Sequence, residues 1–170
     1  MDILTFCHGH DKMSMTGHFG GEFMNIGKES ELIEFKKSTS ESKEGIISIA
    51  SILNKHKKGT LYFGVKDNGD VVGQDIGNDT ERKLSREISD NVKPAFLYEI
   101  TTRYSDDGKP FIEVVFSGSK APYSAYGKYY QRFADEDKKI SDSELERLFK
   151  QRQKDYSEWE AADPAKPLLT

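Results

Sequence analysis

Strict alternation opens the regular part of the chain. In ELIEFKKS, Leu32, Glu34 and Lys36 fall on one face and Ile33 and Phe35 on the other, the pattern of a half-buried strand. The period then becomes helical. Ser40 is the expected N-cap, acidic residues follow, and Ile46, Ile49, Ala50 and Leu53 make an apolar stripe. Gly59 ends that helix and opens GTLYFGVK, a second strand, with Asp67-Asn68-Gly69 as the turn into a short strand DVVGQ. Asn78-Asp79-Thr80 starts a helix that Pro94 stops. FLYEITTRY and PFIEVVFSG form a hairpin across Asp106-Asp107-Gly108, GKYYQRF is one more strand, and Ser141 caps a last helix, DSELERLFKQRQ. The order β-α-β-β-α-β-β-β-α predicts an α+β domain, a mixed sheet with helices packed on it.

Residues 1–27 show no sustained period and read as an arm or leader, residues 28–152 as the domain, and residues 153–170 as a polar tail. The 170 residues, 35% hydrophobic, suffice for one domain with one modest core. The longest apolar run, IISIASIL, lies inside an amphipathic pattern, so no spanning helix is expected. The start MDILTFCHGHDK does not resemble a secretory signal, and a soluble, cytoplasmic protein is the expectation. Cys7 is the only cysteine, which excludes an internal disulfide and a Cys-rich zinc module. Cys7, His8, His10 and His18 invite a metal reading, but a flexible arm does not hold ligands in place, and zinc is not expected. With 25 Lys+Arg against 29 Asp+Glu the net charge is −4, which argues against coating nucleic acid by bulk charge and leaves room for a local basic patch.

Three carboxylates stand near predicted strand ends. Glu34 and Lys36 share a strand face, ~7 Å apart. Glu29 precedes that strand through the turn at Gly27-Lys28, and Asp67 ends the second strand. If the strands are neighbours, the carboxylates converge and repel, and a hard ion such as Mg²⁺ or Mn²⁺ is an economical way to relieve them. Lys36 would then face the scissile phosphate. Each residue also has a structural reading: Asp67 as a turn former, Glu34 and Lys36 as a surface pair, Glu29 as a solvated loop residue.

Lys55-His56-Lys57-Lys58 suits either a helix C-terminus or phosphate contact. Tyr123, Tyr126, Tyr129 and Tyr130 with Lys128 and Arg132 suit either core packing or stacking on bases. A phosphate loop is missing, since Gly27-Lys28-Glu29-Ser30 lacks the upstream glycine and the Ser/Thr after the lysine. Neither a serine-nucleophile elbow nor an HExxH motif is found.

From about Lys28 to Lys150 these segments resemble the Schlafen AlbA-type domain, also catalogued as a divergent AAA domain. The resemblance rests on E-S-x-x-x-E-F-K, G-V-x-D-x-G-x-V-x-G, and Y-Y-x-R before a capped helix. Lys57-Lys58-Gly59 departs from it where many relatives carry Gly-Gly. The resemblance implies a domain acting on RNA or DNA. By motif position Glu29, Glu34 and Asp67 match the carboxylates of members that cleave transfer and ribosomal RNA, and Lys36 matches as well. It therefore implies a metal-dependent endoribonuclease for structured RNA, with Mg²⁺ or Mn²⁺ on the three carboxylates. Lys55, Lys57, Lys58, Tyr130 and Arg132 are the candidate nucleic-acid contacts. RNA-cleaving members build a horseshoe from two such domains, so a single copy implies a homodimer. The alternatives are a non-catalytic binding domain of a transcriptional regulator and, with the phosphate loop missing, an ATP-binding domain.

Overall fold

The structure is a computed structural model that describes residues 24–162. In chain order the elements are β1 (Ile33–Lys36), α1 (Ser42–His56), β2 (Lys58–Phe63), α2 (Thr80–Asn91), β3 (Val92–Lys93), β4 (Leu97–Tyr104), β5 (Pro110–Ser117), β6 (Ser124–Ala125), β7 (Lys128–Phe133), β8 (Glu136–Lys139) and α3 (Asp142–Ala162). The fold class is α+β, as the pattern predicts.

A mixed sheet has the order β1-β2-β5-β4. β1 and β2 run parallel, from Ile33 opposite Thr60 to Lys36 opposite Phe63. Helix α1 supplies the crossover that a parallel pair needs. β5 then pairs antiparallel with both β2 and β4. A second, antiparallel sheet, β3-β6-β7-β8, covers the other side of α1. Ile46, Ile49 and Leu53 of α1, Leu61 and Phe63 of β2, Val114 and Phe116 of β5, and Tyr123 beside β6 form the main core.

The second sheet explains where the sequence reading fell short. Two-residue strands such as β3 and β6 have too few positions to show a period, and β8 is wholly charged (EDKK). Because α1 lies between two sheets, its polar residues Ser48, Ser51 and Asn54 are buried as well as its apolar stripe. Asn54 is satisfied there: its Nδ2 donates to the carbonyls of Tyr123 (2.8 Å) and Tyr130 (2.7 Å), and its Oδ1 accepts the Tyr123 N–H (2.5 Å).

Local signals place the helix starts within a turn. Ser40 lies inside a short 3-10 turn, Thr39–Glu41, which Ser38 caps by accepting Ser40 N–H at 3.2 Å. Ser141 does cap α3, its Oγ accepting Glu144 N–H at 3.3 Å. α3 runs on to Ala162, so much of the expected tail is helical. Ion pairs at helical spacing, such as Lys150 with Glu146 (2.7 Å), line its exposed sides. DVVGQ forms only the isolated bridges Val65–Val71 and Asn25–Asp70. Val71 N–H also donates to Met24 O (2.8 Å), so packed structure begins ahead of Lys28. Cys7, His8, His10 and His18 lie outside the described residues. Among the described residues no helix is long and apolar enough to cross a membrane.

Candidate functional site

Since β1 and β2 are parallel neighbours, their C-terminal ends leave the sheet at one edge. Glu34 and Lys36 come from β1, and Asp67 sits on the exposed turn that follows β2. Glu29 reaches the same edge because Phe35 N–H donates to its Oε1 (2.9 Å). Burial raises the Glu29 carboxyl above its ordinary range against the pull of that N–H, and Glu34 and Asp67 raise it further while Lys36 opposes them. The four residues named from the sequence therefore share one electrostatic neighbourhood.

A glycine locks the Asp67 turn in place. Gly69 has φ +89°, and a Cβ there would stand 1.9 Å from Gly27 O. The turn and the 25–27 segment thus press together, and Asn25 Nδ2 clamps them by donating to Asn68 O (3.0 Å) and Asp70 Oδ1 (2.8 Å). Phe35, Val65, Val71 and Phe111 form a small core of their own, with Met24 and Ile26 packed on it.

Glu34 is not a free ligand. One oxygen is paired with Lys36 Nζ, and Arg132 Nη2 donates to the other at 2.5 Å. Arg132 is fully buried; it also donates from Nη1 to Asp137 Oδ1 (3.0 Å) and from Nη2 to Ser30 O (3.2 Å). Ser48 of α1 completes the chain, donating to Asp137 Oδ2 at 2.5 Å. Charges are tolerated in such a place only when paired and hydrogen-bonded, and these side chains pair one another across β1, β7, β8 and α1.

As arranged here, Glu34 presents no unpaired oxygen to a divalent ion. Each Glu34 oxygen already faces a cation, and among the described residues no group of three His, Cys, Asp or Glu side chains is placed to hold a metal. The donor types suit Mg²⁺ or Mn²⁺, and an ion taking Glu34 as a ligand would have to displace Lys36 or Arg132 from it.

The proposed nucleic-acid contacts divide in two. Arg132 lies inside the protein and is unavailable to a phosphate, a correction to the sequence reading. Lys55 pairs with Glu31 and lies over the Phe133 ring, 5.5 Å from its centroid. His56 Nε2 lies 2.9 Å from Glu31 as well. Lys57 and Lys58 are exposed and have no ion pair among the described residues. Lys57 is the left-handed cap of α1, φ +65°, its N–H donating to Leu53 O at 3.2 Å.

The tyrosines are mainly structural. Tyr123 is buried, Tyr130 is half-buried with its carbonyl held by Asn54, and Tyr126 donates to Glu87 at 2.9 Å. Tyr129 packs edge-on to Phe149 with centroids 5.9 Å apart. Sequence reasoning missed Asp137 and Ser48 as the second and third partners of this network. The available signal was weak: Arg132 shares a strand face with Tyr130, which the sequence offered both as core and as a nucleic-acid contact.

Three comparisons complete the description. The family model described as Schlafen, AlbA_2 matches residues 29–141. Among solved structures, the DIP2311 protein from Corynebacterium diphtheriae is similar, with a TM-score of 0.54 and 14% sequence identity, over 68% of this chain and 26% of that one. At that identity the likeness speaks for the fold, and the chain spans about a quarter (26%) of that protein's length. A search of curated proteins gives no match.

Proposed function

This chain belongs to the Schlafen AlbA_2 family of nucleic-acid-related domains, and on that premise we propose that it is a nucleic-acid-binding domain whose Lys57 and Lys58 contact the phosphate backbone. The observation that carries this reading is how its cations are engaged. Lys36 and Arg132 are tied to Glu34, and Lys55 to Glu31, whereas Lys57 and Lys58 stand exposed with no ion pair among the described residues. In a chain of net charge −4, local cations of this kind supply the backbone attraction that bulk charge does not. Glu34 then acts as the anchor of a buried ion-pair chain, not as a metal ligand.

A second reading, a Mg²⁺- or Mn²⁺-dependent endoribonuclease at Glu29, Glu34 and Asp67, is favoured by the raised Glu29 carboxyl. That rise is due chiefly to burial, with smaller contributions from Glu34 and Asp67, and the part due to their repulsion is what a bound cation would relieve.

Binding and cleavage are separated by one set of titrations. Affinity for transfer RNA and for duplex DNA is measured across a salt series by fluorescence anisotropy. Replacing Lys57 and Lys58 by alanine should lower the salt slope by about one unit per lost contact and weaken both ligands alike. An unchanged slope assigns both lysines to helix capping and removes the proposal. Incubation of the same transfer RNA with Mg²⁺ or Mn²⁺ tests the second reading. Cleavage by the parent that disappears in both Glu29→Gln and Asp67→Asn moves the assignment to the nuclease.

A further inference from the structure

Helix α3 has only Leu148 buried, yet its far half carries large aromatics. Phe149, Arg152, Tyr156 and Trp159 follow at steps of three, four and three residues, which puts them on one face. Tyr156 and Trp159 are 61% and 63% exposed, with ring centroids 6.1 Å apart, and Arg152 lies over the Phe149 ring at 5.0 Å. A lone exposed aromatic needs no explanation, but a stripe of them interleaved with a cation does.

The stripe lines a hollow of about 910 Å³ that also touches Pro94, Ser119 and Lys120. A second hollow, of about 520 Å³, shares Ser119 and Lys120 with it and reaches Lys57. Together they make one groove from the end of α1 to the end of α3. Its charged lining is Lys57, Lys120 and Arg152 against a single acid, Asp155, so it is locally positive in a chain that is negative overall.

We infer that this groove binds single-stranded nucleic acid, its bases stacking on Tyr156 and Trp159 and its phosphates lying along Arg152, Lys120 and Lys57. The inference rests on the nucleic-acid-binding reading above and names the ligand class. Stacking needs exposed base faces, which a duplex hides and a single strand offers, and cations beside the rings hold the backbone. From Phe149 to Trp159 the stripe covers about 15 Å at ~1.5 Å per residue. That length accommodates a short run of nucleotides. A second copy is a poorer occupant, because a two-fold contact sets the same patch against itself and like charges face each other.

Trp159 is the chain's single tryptophan, so its emission reports on this groove alone. The full chain is titrated at low salt with a short oligouridylate, then with an RNA duplex of the same length, reading tryptophan emission and the anisotropy of a labelled strand together. The single strand should quench Trp159 saturably and the duplex should not. Tyr156→Ala and Arg152→Gln, both on the exposed helix, should each weaken single-strand binding by about tenfold. Binding seen by anisotropy with Trp159 unquenched and both variants unaffected overturns the groove while leaving the Lys57 and Lys58 reading intact. Absence of any binding to either RNA overturns both. A light-scattering mass that falls from dimer to monomer in Tyr156→Ala overturns the inference in favour of a second copy.

Discussion

Arg132 donates from Nη2 to Glu34 Oε2 at 2.5 Å, across 98 positions of sequence and with the guanidinium fully buried. This contact ties strand β7 of one sheet to strand β1 of the other. It turns a carboxylate of the family motif into part of the framework. Removing one partner leaves an uncompensated charge in the interior. Arg132→Met should therefore cost about 3–5 kcal/mol of unfolding free energy in urea denaturation, and Arg132→Lys should recover little of it, since an ammonium does not reproduce the fork of donors. The double variant Glu34→Gln, Arg132→Met should be less unstable than the sum of its parts. Additive losses would show that the pair is not coupled.

Glu29 gives a pH dependence with a definite sign. Its carboxyl is raised above the ordinary glutamate value of 4.5, chiefly by burial. A raised folded-state value means that the stability contributed by the protonated group is complete below the unfolded value and is lost as pH rises through the folded one. Glu29→Gln keeps an oxygen for the Phe35 N–H and cannot ionise. Denaturation midpoints measured from below pH 4.5 upward should show the variant gaining on the parent as pH rises. Parallel curves would mean that the carboxyl is not raised.

Asn54 holds the start of the second sheet through three hydrogen bonds. Asn54→Leu removes all three and leaves the Tyr123 N–H without its acceptor in the interior. The expected loss is about 3 kcal/mol. Hydrogen exchange of the Tyr123 amide should accelerate more than that of amides in β2. Equal acceleration of both would count against a local role.

The Gly69 turn is predicted to be intolerant of any side chain. A Cβ would meet Gly27 O at 1.9 Å, and the positive φ adds strain of its own. Gly69→Ala should destabilise the protein by at least ~2 kcal/mol and make the 24–28 segment the first site of limited proteolysis. A variant as stable as the parent, and cut no faster there, would show that the turn is not locked.

Divalent ions offer a last check. With Glu34 held by Lys36 and Arg132, Mg²⁺ or Mn²⁺ should leave the melting temperature of the parent unchanged. Lys36→Met frees one Glu34 oxygen and should create a Mn²⁺-dependent rise in melting temperature that EDTA reverses. A rise already present in the parent would favour the nuclease reading.

Local physics made much of this protein readable from the chain alone. The strand in ELIEFKKS, the apolar stripe of α1 and the cap at Ser141 are decided within a few residues and stand in the structure, but the half-buried alternation does not, since Glu34 and Phe35 on opposite faces of β1 are both buried. The neighbourhood of Glu29, Glu34, Lys36 and Asp67 was legible for a related reason, because a strand-helix-strand unit brings two strand ends to the same edge. Tertiary structure decided the rest. Nothing in the sequence near Arg132 separates a cation that meets phosphate from one enclosed by Glu34 and Asp137, since the partners lie on other strands. The second sheet was invisible because its shortest strands exist only through pairing with distant segments. Periodicity records which residues avoid water; it does not record which charged groups avoid water together, and that is settled only when the two sheets close over α1.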